Sequence, residues 1–328
     1  MFKIQNYKIQ NIKNDVLSGS VVAMALVPEA IAFSLIAGVS PQVGLYTAFI
    51  LGLIASLIGG RAGLISGATG AVAIVLVTLV QQYGMEYLLA TTVLAGLIQI
   101  AIGLIKAGKF IRLVPQPAMF GFVNGLAIVI ASAQFGYFSY DDKIMMAIVL
   151  VTMIIMYALP KITTIVPASL VAIVGISALV FVFSWDTKTV SDLADIAGSM
   201  PSFHIPDVDF SLETLWIILP YSIIVALVGL IESLLTLSVI DELSHSRGNG
   251  NKECIAQGIG NTTCGFFGAM AGCVMIGQSI INFTSGGLGR LSGIVASILL
   301  ILFVVEISDW IGLIPIGVLI GIMFMVSI

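Results

Sequence analysis

Two glutamates, Glu29 and Glu232, stand inside long apolar runs, residues 16–39 and 215–240. Within ten residues of either, the other charged groups are Asp241 and Glu242, just beyond the second run. A charge at bilayer depth costs roughly 2.5–3.5 kcal/mol on insertion scales, so such a residue is retained where it does something. About forty residues after each acid lies a stretch of small residues that leads into a short apolar segment. The first is Ser66-Gly67-Ala68-Thr69-Gly70-Ala71; the second is Gly272-Cys273-Val274-Met275-Ile276-Gly277-Gln278-Ser279. A matched pair of short, Gly-interrupted segments in the two halves of a chain points to a transporter binding site.

The chemistry such segments offer is anion binding. The first N–H groups of a helix have no intrahelical acceptor, and the helix dipole is positive at that end. Two half-helix N-termini facing each other would cradle an anion without lysine or arginine. No Gly-Lys-Ser/Thr follows either stretch, so neither is a nucleotide P-loop. The acids add ion chemistry. Pro28 precedes Glu29, removes a backbone donor and should kink the helix there; the freed carbonyl is tolerated beside protein or a wet cavity. Thr236 lies one turn after Glu232 on the same face. A carboxylate and a hydroxyl so placed can hold a proton or a sodium ion, and desolvation favours proton carriage by the acid.

Composition dictates the elements that must position these groups. The chain is 59% hydrophobic and 9% charged, against roughly 25% charged for a soluble domain. Its apolar runs approach the roughly 20 residues that cross a bilayer as a helix. Twelve spans are predicted, at 16–39, 42–58, 69–80, 87–105, 117–135, 144–159, 164–184, 215–240, 254–271, 277–283, 291–307 and 311–328. The third and tenth are too short to cross alone. The ninth carries Gln257, Asn261, Thr262 and Thr263, so it should pack against protein rather than lipid. With the N-terminus cytoplasmic, Lys3, Lys8, Lys13, Arg61, Lys106, Lys109, Arg112, Lys161, Arg247, Lys252 and Arg290 all fall inside, eleven of the thirteen Lys and Arg, as the positive-inside rule requires. Lys143 and Lys188 fall outside.

The first apolar run is too long for a cleaved signal peptide and contains Pro28 and Glu29, so it is expected to be retained. Cys254, Cys264 and Cys273 form no C-x-x-C pair and read as buried small hydrophobes. The tripeptides at Asn261 and Asn282 match the glycosylation pattern by chance, being at membrane depth. Gly121-x-x-x-Gly125 reads as a close helix contact. Residues 185–213 form the longest polar interruption, rich in Asp and Glu including Asp195, and read as an external loop. They divide residues 1–184, with seven spans, from residues 214–328, with five. Inverted repeats would need seven in each, so the chain is expected to be incomplete.

At these positions the chain resembles the sulfate permease (SulP) family of anion transporters. The resemblance is carried by Leu26-Val27-Pro28-Glu29-Ala30-Ile31-Ala32-Phe33 with Ala37-Gly38-Val39-Ser40-Pro41-Gln42-Val43-Gly44-Leu45-Tyr46, by the stretch from Ser66, by Phe120-Gly121-Phe122-Val123-Asn124-Gly125, and by residues 277–291. It covers nearly the whole chain. It implies an all-α polytopic membrane protein with a seven-plus-seven inverted-repeat fold, here with an incomplete second repeat, and a core domain moving against a gate domain. It also implies an anion site lined by Glu29, Phe33, Thr69, Gly70, Gln278 and Ser279, with Glu232, beside Thr236, as the coupling acid for a proton or sodium; the facing half-helix N-termini read above add Ala71 and Gly277 to the anion site. The resemblance implies two further spans and a cytoplasmic STAS domain, so the sequence is expected to be truncated before them.

The expected function is secondary transport of a small inorganic anion, sulfate or bicarbonate, with protons or sodium. A nucleobase–cation symporter shares the architecture but would need more polar groups at the half-helices; a passive anion channel is a third reading. A membrane-embedded enzyme would need clustered His, Asp or Cys, whereas His204 and His245 both lie in loops. The expected partners are the anion, the coupling ion and membrane lipid. A homodimer is compatible with the sequence, and no cofactor or nucleic acid is expected. The expected location is the bacterial inner membrane.

Overall fold

The computed structural model describes residues 9–108, 116–137, 142–163, 167–192, 199–209, 211–306 and 308–327. Lys3, Lys8, Lys109, Arg112 and Asp195, which enter the charge pattern above, lie outside them, as do the side chains of Phe120, Phe122 and Val123.

The regular structure of the described residues is helical apart from two two-residue strands. Its elements run α1 (Ile9–Ala37), α2 (Pro41–Ile58), β1 (Ser66–Gly67), α3 (Gly70–Tyr83), α4 (Met85–Leu104), α5 (Gln116–Gln134), α6 (Lys143–Ile162) and α7 (Ala168–Phe183). After residues 184–211 come α8 (Leu212–Ser244), α9 (Gly250–Phe266), β2 (Cys273–Val274), α10 (Ile276–Thr284), α11 (Arg290–Glu306), α12 (Ser308–Gly312) and α13 (Ile316–Val326). At about 1.5 Å per residue, the 29 residues of α1 and the 33 of α8 exceed the bilayer core. The 14 of α3 and the nine of α10 fall short of its roughly 30 Å. The two short helices are half-helices, as their sequences require.

Local chemistry explains the breaks. Gly38 takes a left-handed backbone (φ +78°) where α1 ends, and Pro41 opens α2, the ordinary order of a helix stop and start. Ser34 ties the two together, donating to the Ala30 carbonyl and accepting the Gly44 N–H at 2.9 Å. Ser211, Asp142 and Asn249 cap α8, α6 and α9 through side-chain oxygens. Helix α1 continues unbroken through Pro28. The last expected span, by contrast, is broken: Pro315 follows α12 and cannot continue a helix, so α13 starts afresh at Ile316.

Two groups of helices pack together. Helices α1 to α4 and α8 to α11 form one, with α4 against α9 and α1 and α2 against α11; α5, α6, α7 and α13 form the other, and contacts of α1 with α7 and α13 and of α3 with α5 join them. The α4–α9 seam is built by glycine. A Cβ on Gly258 would sit 2.6 Å from the Gly96 carbonyl and the Ile100 nitrogen, and one on Gly103 would reach the Asn251 carbonyl at 2.9 Å. Gly121 and Gly125 do not take part in such a contact among the described residues, none of which lies within 4 Å of a Cβ added at either. The close approach expected of them belongs to α4 and α9, where the neighbouring backbones are near enough to need it.

Candidate functional site

The centre of the first group is a crossing of extended chain. Strand β1 pairs antiparallel with β2, Ser66 opposite Val274 and Gly67 opposite Cys273, and the Met275 N–H extends the ladder to the Ile65 carbonyl at 2.9 Å. Each strand runs directly into a half-helix. Close approach is forced here: a Cβ on Gly272 would collide with the Gly67 carbonyl.

A buried polar ladder on α9 holds this crossing. Glu253, Gln257 and Asn261 lie four residues apart on one face, all at most 1% exposed. Glu253 accepts the Gly60 N–H at 2.7 Å and the Gln257 amide at 2.8 Å. Gln257 donates to the Ser66 hydroxyl, and Asn261 exchanges two hydrogen bonds with the Gly272 backbone. The Val274 N–H is taken by Ser233 of α8 at 3.1 Å. Sequence reasoning missed Glu253 as a buried acid, because the ninth span was begun one residue too late. The i, i+4, i+8 spacing of three polar residues was the available signal. Asn261 and Asn282 are fully buried with several partners each, which accounts for their asparagines without glycosylation.

The half-helix N-termini present backbone donors. Neither α3 nor α10 has a side-chain cap. The Ala73 N–H is the first to return to Thr69, and the Ser279 N–H the first to return to Met275. The N–H groups of Gly70, Ala71 and Val72, and of Ile276, Gly277 and Gln278, therefore lack intrahelical acceptors. Gly277 is exposed, and an added Cβ would meet nothing within 4 Å, so open space borders this end of α10. Gly70 is enclosed: a Cβ there would press Phe33 and Ile130, both at 2.9 Å. Phe33 thus packs on the first residue of α3.

Both lone acids reach this place. Glu29 Oε1 accepts the Gln278 amide at 2.9 Å, while Gln278 Oε1 is buried without a partner among the described residues. Glu232 Oε2 accepts the Cys273 thiol at 3.0 Å, and Cys273 Sγ lies 3.2 Å from the Thr69 hydroxyl. A chain of hydrogen bonds thus links α8, β2 and the N-cap of α3. Cys273 is buried like the other two cysteines, but it is a polar link as well as the small hydrophobe that composition suggested. Two hydroxyls have protein partners in addition to the roles expected of them. The Ser279 Oγ accepts the Ile65 N–H at 3.0 Å, because that buried backbone donor flanks the strand pair and needs an acceptor. The Thr236 hydroxyl donates to the Glu232 backbone carbonyl at 2.8 Å, not to its carboxylate, the local i−4 bond open to any helical threonine.

Apolar spanning helices around two half-helices that start from crossed strands define an inverted-repeat membrane transporter fold. The chain belongs to the sulfate permease family, whose model matches residues 12–144 and 139–328. It is 47% identical over 327 residues to the putative sulfate transporter YbaR of Bacillus subtilis, covering 100% of this chain and 68% of that protein. It is 28% identical to the bicarbonate transporter BicA of Picosynechococcus, covering 97% of this chain and 62% of that one. The chain thus spans about two thirds of the length of these relatives. Among solved structures, the transmembrane domain of a cyanobacterial BicA matches with a TM-score of 0.88 at 26% identity, over 98% of this chain and 89% of that chain. Murine Slc26a9 in an inward-facing state matches with a TM-score of 0.84 at 16% identity, over 98% of this chain and 60% of that chain, a likeness of fold.

Proposed function

We propose that this chain is a secondary active transporter of a small inorganic oxyanion, sulfate or bicarbonate, driven by a proton or sodium gradient. The observation that carries the reading is the convergence of two uncapped half-helix N-termini, with Glu29 and Glu232 both hydrogen-bonded to the second stretch. Each helix terminus is worth about half a positive charge. With no Lys, Arg or His in α3 or α10, the site offers an anion donors and dipoles rather than a fixed cation. Such a site replaces hydration yet releases its ligand. Phe33, Thr69, Gly70, Ala71, Gly277, Gln278 and Ser279 line it in this reading, the Ser279 oxygen accepting the Ile65 N–H while its proton remains to be donated. Glu232 is the coupling acid, and Thr236 sets the helix turn beside it.

The repeats in this reading are residues 1–184 and 214–328, with 185–213 as an external loop. The first helix group is the core that carries the site, and the α5, α6, α7 and α13 group is the gate. The names of the sulfate and bicarbonate relatives support the choice of anions.

The test is uptake of labelled sulfate and of labelled bicarbonate into proteoliposomes under imposed proton or sodium gradients. Accumulation of one anion above its external concentration, abolished by collapsing one gradient, is the expected result. Equilibration without accumulation under either gradient would identify a passive anion channel and overturn the coupled mechanism.

A further inference from the structure

We propose that Gln278 is a two-state amide that lets the half-helix site accept its anion only when Glu29 carries a proton. The proposal rests on the reading of the crossing as an anion site. A charged carboxylate is an acceptor only, whereas a carboxyl is also a donor; a glutamine amide offers both, on opposite sides of one torsion. As observed, the Gln278 amide nitrogen donates to Glu29 Oε1 at 2.9 Å, the arrangement that a charged Glu29 requires. The consequence is visible on the other side of the same amide. Among the described residues Gln278 Oε1 has no hydrogen-bond partner, although the residue is only 2% exposed. It belongs to the first turn of α10, next to Gly277, whose missing side chain faces open space. Beside donors suited to an anion, a bare acceptor oxygen is the wrong group.

Protonation of Glu29 resolves this. The new carboxyl O–H needs an acceptor, and the amide can supply one by turning about its terminal torsion. Oε1 then accepts a hydrogen bond from the Glu29 O–H and Nε2 takes the place Oε1 held, adding a donor next to the N–H groups of Ile276, Gly277 and Gln278, which lack intrahelical acceptors. The proton comes from solvent and stays on Glu29; no other bond changes. Anion and proton then favour one another, and the linkage is reciprocal.

Few charged groups compete for control of Glu29. On α1 itself, Lys13 and Asp15 lie more than three turns away along the helix, and Asp15 is held by the Leu288 and Gly289 N–H groups. Helices α2 and α3 carry only the tyrosines Tyr46 and Tyr83, and α7, α10 and α13 carry no titratable residue. Helix α11 has Arg290 and Glu306 at its ends, with Arg290 bound to the Ser56 and Gly59 carbonyls. Tyr137 donates to the Leu35 carbonyl. Cys273 and Glu232 face the site from β2 and α8, bonded to one another.

The test is equilibrium binding of labelled sulfate and of labelled nitrate to the full chain in nanodiscs. Both anions keep their charge between about pH 5.5 and about 8.5, so any pH dependence belongs to the protein. Wild type should lose affinity toward alkaline pH, approaching about one log unit of Kd per pH unit for one linked proton. Glu29→Gln, whose amide can donate permanently to Gln278 Oε1, should bind with the wild type's acid-side affinity at every pH. Gln278→Met should lose about tenfold or more on the acid side, the worth of one donor to a charged ligand, and little on the alkaline side. A Gln278→Met protein with the wild-type profile would mean that Glu29 acts by repulsion alone, and would overturn the switch while leaving the anion site intact. If Gln278→Met does not fold, a wild-type pH slope persisting in Glu29→Gln overturns the switch equally. Absence of binding of either anion to wild type at every pH, together with no uptake of labelled bicarbonate into proteoliposomes, would overturn the site reading and the switch with it.

Discussion

At the residue scale, the two lone acids were legible because membrane depth makes any charge conspicuous, and the structure brings both to the crossing. Glu232→Gln should abolish gradient-driven anion accumulation in proteoliposomes while leaving insertion and the melting temperature near wild type; cation-driven accumulation at the wild-type rate would exclude Glu232 from coupling. The hydroxyls were not legible. Sequence spacing places Thr236 on the face of Glu232 but cannot say that its proton goes to the carbonyl four residues back. Nor can it show that Ser279 meets Ile65, 214 residues away. The mutational expectation for Ser279 changes accordingly. Ser279→Ala strands a buried N–H and should destabilise the fold by about 1–3 kcal/mol, read as a lower melting temperature, besides weakening anion binding by about 0.5–1.5 kcal/mol, the net worth of one hydrogen bond. Cys273 was missed for the same reason: its role depends on the register that sets it opposite Gly67, between Thr69 and Glu232.

At the element scale, the half-helices could be read from length alone, since no apolar run of their size spans a bilayer. The seam between α4 and α9 could not. Both Gly258 and Gly121 sit in helices with glycine neighbours at helical spacing, and the sequence favoured the wrong one. What separates them is the partner backbone: Gly96 carbonyl and Ile100 nitrogen crowd a Cβ at Gly258, while space is open at Gly121. Gly258→Ala should therefore destabilise by about 1–3 kcal/mol, the usual cost of overpacking. Gly121→Ala should be neutral or stabilise by up to about 1 kcal/mol, because alanine is the better helix former. Thermal melting of the two variants in one detergent compares them directly, and equal losses would contradict the assigned seam. The break before α13 escaped notice because Ile314 and Ile316 flank Pro315 with apolar side chains, so hydropathy runs on where the backbone cannot.

At the scale of the whole molecule, the charge pattern and the tertiary contacts divide the protein into two polar ends. Arg61 pairs with Asp241 and the serines Ser244 and Ser246, Asp15 binds the turn before Arg290, and Arg290 closes the last turn of α2. These contacts gather the start of α1, the end of α2, the α8–α9 turn with Arg247 and Lys252, and the start of α11 at one end. Tyr46 meets Ser199, Glu86 meets His204 and the Asp207 N–H, and Lys188 meets Ile316 at the other end, which is the acidic one. Translocation disfavours Lys and Arg far more than Asp or Glu, so the basic end should be cytoplasmic and the loop of residues 185–213 external. The three native cysteines are buried, which leaves a low background for labelling. Arg247→Cys and Asp209→Cys replace exposed residues, one at each end. In right-side-out membrane vesicles, a membrane-impermeant maleimide should label Asp209→Cys at once and Arg247→Cys only after the vesicles are opened. The opposite order would place the N-terminus outside and invert the direction in which the proposed gradients drive the anion.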